Sequence, residues 1–127
     1  MGNRLPLIYV AGPYSAPTQQ LVDENVNIAR AWAELIWNCG GVAICPHLNT
    51  QGFEKPGAMR EGSSEWRSDF AMFLSGDFEI ISRCDGVYFI EGWEQSKGAV
   101  AEFAFAKYMG YPCFFTMQDV MKFIDEY

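Results

Sequence analysis

Residues 85–112 read DGVYFIEGWEQSKGAVAEFAFAKYMGYP, and the fold turns on how they are read. The run GVYFI at 86–90 is β-branched and aromatic, bounded by Asp85-Gly86 before it and Gly92 after it, which predicts a short buried strand. Residues 97–109 follow as a helix, with Ser96 at its N-cap and Gly110, Tyr111 and Pro112 as stop signals. Within that helix every residue from Ala99 to Ala106 is apolar except Glu102. Most helical glutamates lie on a solvated stripe. Apolar surface on all sides instead marks a helix buried by the core or by a partner, where a glutamate is costly unless it is paired or used. In a parallel α/β sheet the helix after a strand begins at the strand's carboxyl end, where ligands bind. Glu102, in the second turn, is expected close to that edge.

Working outward, residues 5–11 (LPLIYVA) predict a central first strand ended by Gly12-Pro13-Tyr14-Ser15. That tetrapeptide reads either as an ordinary turn or as a place where Gly12 lets the backbone approach a ligand. Val22, Val26, Ala29, Ala33 and Ile36 recur at helical spacing within 21–38, and Cys39-Gly40-Gly41 stops the helix. A second strand at 42–45 leads into a loop at 46–49 on the same edge as Gly12. Residues 50–64 hold three glycines and a proline and predict a long, lid-like loop. A helix over 65–74 should turn Trp66, Phe70, Phe73 and Leu74 inward, break at Ser75-Gly76, and be followed by a short helix over 77–83. Asp77 at the start of that helix belongs at the cleft, whereas Asp85 enters the next strand from the opposite edge and reads as a turn residue. A fourth strand at 113–116 and a terminal helix at 118–126 complete the pattern. It implies an α/β doubly wound, mostly parallel sheet of four to five strands with helices on both faces.

At 127 residues the chain is expected to form one domain, 1–127, able to bury a core without staples. No apolar stretch approaches the roughly 20 residues needed to cross a bilayer, and a cytosolic protein is expected. The four cysteines form no C-x-x-C pair and read as reduced core thiols. A net charge of −7 argues against a surface that grips nucleic-acid polymers, so any nucleotide must be held locally. His47 is the only histidine, without carboxylates at ligand spacing, so neither a metal site nor a serine-hydrolase triad is expected. Neither G-x-G-x-x-G nor a Walker loop follows the first strand, and no cofactor is expected. Glu102 and Asp77 converge on one cleft in this topology. Two carboxyl groups a few ångströms apart suit glycosidic-bond cleavage.

The segments YVAGPY at 9–14, Asp77 eight residues before Asp85, and GWEQSKGA at 92–99 followed by Glu102 resemble the nucleoside 2-deoxyribosyltransferase-like superfamily. The likeness is strongest to a small, often phage-encoded branch related to 2′-deoxynucleoside 5′-phosphate N-hydrolases. It implies a flavodoxin- or Rossmann-like fold and retaining attack on a nucleoside N-glycosidic bond. Glu102 would be the nucleophile, Asp77 the acid serving the departing base, and Tyr14 the tyrosine that contacts sugar and nucleophile. Gly12, Pro13, Ser15, Ser96, Lys97 and Gly98 would line the substrate. Water as acceptor gives a hydrolase, another base a transferase.

Monophosphate-cleaving relatives carry an arginine soon after the Gly-Pro-Tyr, whereas residues 16–20 (APTQQ) offer no cation here. A phosphate would then rest on Ser15, Ser96, Lys97 and helix amides, which leaves free nucleoside and 5′-monophosphate equally open. Trp93 stacks on a base or packs the loop; Trp66 and Arg67 pose the same choice. His47 lines the base pocket or is a plain hydrogen-bonded loop histidine. The superfamily's habit of association, with the all-round apolar helix, points to a homodimer or a higher even assembly. The alternative to an enzyme is a protein that binds or sequesters a nucleotide on the same fold without turnover.

Overall fold

The structure is a computed structural model that describes residues 4–49 and 64–127. The loop expected over 50–63, and the side chains of Trp66 and Arg67, lie outside the described residues. Four parallel strands, β1 (Leu7–Ala11), β2 (Val42–Ile44), β3 (Gly86–Phe89) and β4 (Cys113–Phe114), form one sheet in the order β2-β1-β3-β4. Between and after them run α1 (Gln19–Asn38), α2 (Pro46–Asn49), α3 (Ser64–Ile81), α4 (Lys97–Met109) and α5 (Met117–Glu126). Strand order reverses between β1 and β3, which pair directly from Ile8↔Gly86 to Ala11↔Phe89. The crevice beyond their carboxyl ends is where such a sheet binds ligands.

Alternation along β1 divides the core. Ile8 and Val10 face α1 and α5 with Ala29, Ala33, Ile36, Tyr88 and Val120, while Tyr9 and Ala11 face α3 and α4 with Ile81, Val87, Phe89 and Ala106. Helix α1 forms as its spacing predicts. Thr18 caps it by accepting a hydrogen bond from Leu21 N at 3.2 Å, and Val22, Val26, Ala29, Ala33 and Ile36 are its buried face. Gly40, at φ +99°, turns the chain out of α1 in a conformation that a side chain would strain. Strand β3 opens with glycine for a steric reason: a Cβ on Gly86 would lie 2.6 Å from Cε2 of Phe114 on the neighbouring strand.

Four expectations are corrected. The strands are shorter than predicted at their ends, and residues 46–49 form one helical turn rather than a loop, started by Pro46 at a position where its missing N–H is no loss. Helix α3 runs unbroken through Ser75-Gly76, so Asp77 lies near its end and does not begin a second helix. A Cβ at Gly76 would meet nothing within 4 Å, so this glycine marks no close approach to another described group. Nor is α4 buried all round: Ala99, Glu102 and Ala106 face inward, while Val100, Ala104 and Tyr108 are exposed. No described helix is long and apolar enough to cross a membrane.

At the amino edge, Asp85 fastens β1 to β3. Its Oδ2 accepts from Leu7 N at 2.8 Å, its own N–H donates to Leu7 O at 2.7 Å, and Arg4 lies 3.6 Å from Oδ1. The terminal Tyr127 hydroxyl also bonds Asp85, and its ring packs on Phe123. Asp85 is thus the turn residue expected at the edge away from the cleft.

Candidate active site

Tyr9 is in the middle of β1, with its side chain turned to the α3/α4 face and wholly buried. Its hydroxyl donates to Oε2 of Glu102, whose residue is only 5% exposed. Asp77 reaches the same spot from α3 and is hydrogen-bonded to both Tyr9 and Glu102. Three elements therefore each contribute one polar side chain to a cluster set in apolar surroundings. Helix geometry explains how Asp77 arrives there. Eighteen residues of α3 at about 1.5 Å each span far more than four strand residues at about 3.3 Å. Asp77 lies roughly 6 Å, about one turn, from the end at which α3 leads into β3, and that distance brings it level with mid-strand.

Electrostatics follow from this crowding. Burial, then the charge of Asp77, push Glu102 up to about 8, and Tyr9's donated hydrogen bond acts against that. Burial likewise raises Asp77 to about 6, opposed by hydrogen bonds from Tyr9 and Glu102. The Tyr9 phenol is raised by burial and by both carboxylates. Two carboxyl groups this close cannot both ionise freely, so near neutrality the pair shares a proton. When that proton is on Asp77, Glu102 is ionised. Tyr9 favours that state because it donates to the carboxylate.

The remaining expected residues divide. Ser96 caps α4, its Oγ accepting from Ala99 N at 3.2 Å, with exposed Lys97 next to it. A Cβ on Gly98 would approach Phe70 of α3 and the Ser96 oxygen at 3.9 Å, so the first turn of α4 packs closely there. Gly12 has a packing reason: its Cβ would sit 3.1 Å from the Ile90 side chain just past β3. Pro13 accepts from His47 Nε2 at 2.7 Å, and Tyr14 meets the His47 ring edge-on at 5.3 Å. His47 is buried and hydrogen-bonded, and burial lowers its pKa. Ser15 is exposed on the same loop. The Trp93 ring lies against Phe103 at 4.9 Å, Phe89 at 5.2 Å and Phe115 at 5.8 Å.

The tyrosine that donates to Glu102 is Tyr9, a strand residue, where the expectation named Tyr14 in the loop. Sequence reasoning passed over Tyr9 because a tyrosine in an apolar strand reads as core. The available signal was its place as the lone hydroxyl in LIYVA, on a strand whose neighbours bury both faces. Among the described residues no three His, Cys, Asp or Glu side chains are grouped to hold a metal ion.

Comparison with known proteins agrees with this architecture. The model of a family described as "Domain of unknown function (DUF4406)" matches residues 6–115. No curated protein matches the sequence. A solved 2-deoxyribosyltransferase from Bacillus psychrosaccharolyticus is similar at TM-score 0.53 and 24% identity, over 84% of this chain and 69% of that one. At that identity the likeness speaks for a shared α/β fold.

Proposed function

Because the chain belongs to the DUF4406 family, whose description assigns no reaction, we propose from the site itself that this protein cleaves or transfers the N-glycosidic bond of a (deoxy)nucleoside or its 5′-monophosphate. The observation that carries this reading is the buried Tyr9–Glu102–Asp77 cluster beside the strand-order switch. The deoxyribosyltransferase fold of the solved relative adds support.

In the proposed reaction Glu102 attacks the anomeric carbon as a carboxylate. The carbon–nitrogen bond breaks with its electron pair going to the base, and Asp77 supplies the proton that the base takes away. Positive charge building on the sugar stabilises ionised Glu102 and pulls the shared proton toward Asp77. The covalent glycosyl ester is then opened by water, or by the N–H of another base, with Asp77 accepting the released proton. Glu102 leaves as a carboxylate and the configuration is retained. The sugar's 5′ side would face Ser15, Ser96, Lys97 and the first-turn amides of α4. The exposed stripe Val100, Ala104 and Tyr108 supports a homodimer as the working unit.

Incubation with a panel of ribo- and deoxyribonucleosides and their monophosphates should release free base, and Glu102→Ala should abolish it. A 2-fluoro sugar analogue should add its glycosyl mass to the protein at Glu102. Tight nucleotide binding with no base release from any panel member would overturn the enzyme in favour of a sequestering protein.

A further inference from the structure

His47 is a buried titratable side chain at the carboxyl edge to which the proposed chemistry gives no task. Its two ring nitrogens are unequal. Nε2 lies 2.7 Å from the carbonyl of Pro13, which can only accept, so Nε2 carries the proton. Nδ1 is sealed from solvent and has no hydrogen-bond partner among the described residues. A second proton placed there would bury a charged N–H facing no acceptor among the described residues.

The segment His47 holds is the loop that follows β1. Pro13 receives its hydrogen bond, and the Tyr14 ring packs edge-on against it at 5.3 Å. From the other side, Asn25 of α1 donates to the Tyr14 carbonyl at 3.0 Å, and Gly12 packs directly on Ile90 past β3. Among the described residues the ionisable groups beside His47 are Tyr14 from this loop and Cys45 at the end of β2. Glu102 of α4 and Arg30 of α1 act on Cys45 with opposite sign, the first raising and the second lowering its thiol. At His47 itself burial lowers the pKa, and the Pro13 and Gly12 carbonyls oppose the shift.

We propose that His47 is a positioning residue: as the neutral Nε2–H tautomer it holds the loop of residues 12–14 in place at the ligand edge, and uptake of a proton on Nδ1 releases that loop. The consequence for turnover rests on the glycosidic reading above; the effect on the loop does not. The neutral ring keeps one donor aimed at one carbonyl and leaves the site intact. The charged ring needs an acceptor at Nδ1, where no described residue forms a hydrogen bond, and it gains one by leaving its pocket for water.

The test compares the wild-type protein with His47→Gln, whose amide N–H can reach Pro13 but cannot titrate, and His47→Leu, which fills the pocket without a donor. Two quantities are followed between about pH 5 and pH 8: amide hydrogen exchange at Tyr14, Ser15 and Ala16, and kcat and KM on whichever panel nucleoside releases base. In the wild type, protection of these amides, with the intrinsic pH dependence of exchange divided out, should fall and KM should rise as the pH falls. His47→Gln should keep the high-pH behaviour throughout. His47→Leu should exchange fast at every pH, with KM raised about tenfold and kcat changed less, as expected for one lost net hydrogen bond. An identical acid response in wild type and His47→Gln, or wild-type exchange in His47→Leu, overturns the proposal. If no nucleoside is turned over, the glycosidic reading fails on its own, and the exchange measurements still decide the role of His47.

Discussion

The two edges of the same strand pair hold acidic side chains in opposite circumstances. At the amino edge Asp85 is surrounded by donors: the Leu7 amide, the Tyr127 hydroxyl and the Arg4 guanidinium. At the other, Glu102 meets one donating hydroxyl and a second carboxyl group. An anion is well served by the first set and poorly by the second. A carboxylate that fastens a fold is given donors, whereas one kept for chemistry is held where its charge is uncomfortable and its proton easily moved. The contrast separates the roles of Asp85 and Glu102 better than burial does.

The largest effect that tests this contrast is on turnover. Glu102→Gln preserves shape and removes the proposed nucleophile, so base release should fall by about 10³-fold or more, with ΔΔG‡ of about 4 kcal/mol or above. A Glu102→Gln variant with near wild-type kcat would place the chemistry elsewhere. Tyr9→Phe should be milder: the donor that favours ionised Glu102 is lost, and kcat should drop by about 10- to 100-fold, with the rising limb of the pH–rate profile displaced to higher pH. A profile that stays in place would mean the hydroxyl does not act through Glu102.

Next come effects on stability. Asp85→Ala leaves the Leu7 amide unpaired at the base of β1 and should cost about 1–3 kcal/mol in urea unfolding, with kcat per folded molecule retained. The same Glu102→Gln variant should move in the other direction. Folded Glu102 and Asp77 bind protons more tightly than their ordinary values of 4.5 and 3.8, so the native state holds more protons than the unfolded chain. Their stabilising contribution is complete below those ordinary values and is lost as pH rises through about 6 and about 8. Replacing Glu102 by a neutral amide removes part of that loss. The variant should be more stable than wild type by about 1–2 kcal/mol at alkaline pH and nearly equal to it in acid. Equal stability across the whole range would show that the pair is not under strain.

The smallest expected change sharpens the reading of Asp77. Gly76 precedes it inside α3 with open space where a Cβ would go. Gly76→Ala should therefore stabilise the helix by about 0.5–1 kcal/mol. If it also raises KM for the nucleoside, that open space is part of the substrate's path; if KM is unchanged, the glycine is merely a weak helix former.

How far these features were legible in the chain varies with how local their cause is. Helix α1 could be read nearly residue by residue, because one apolar face and its two ends set its bounds. Strand β3 and helix α4 came from the same kind of signal, and Glu102 was singled out by being the lone carboxylate in an apolar run. The break at Ser75-Gly76 was misjudged because a single glycine weakens a helix without ending it when packing continues on either side. Trp93 could not be assigned from sequence either, since stacking on a base and packing on Phe103 ask for the same residue.

The sequence by itself determined the order of the strands along the chain, the α/β class and the candidacy of Glu102, since each depends on periodicity and on stop signals within a few residues. Only the tertiary structure decided that Tyr9 faces Glu102 across 93 positions of sequence, that Asp77 joins them from near the end of a helix longer than the strand it feeds, and that the outer face of α4 stays open. Those facts depend on which side of a strand a side chain takes and how far one element overshoots another. No short window of sequence contains either.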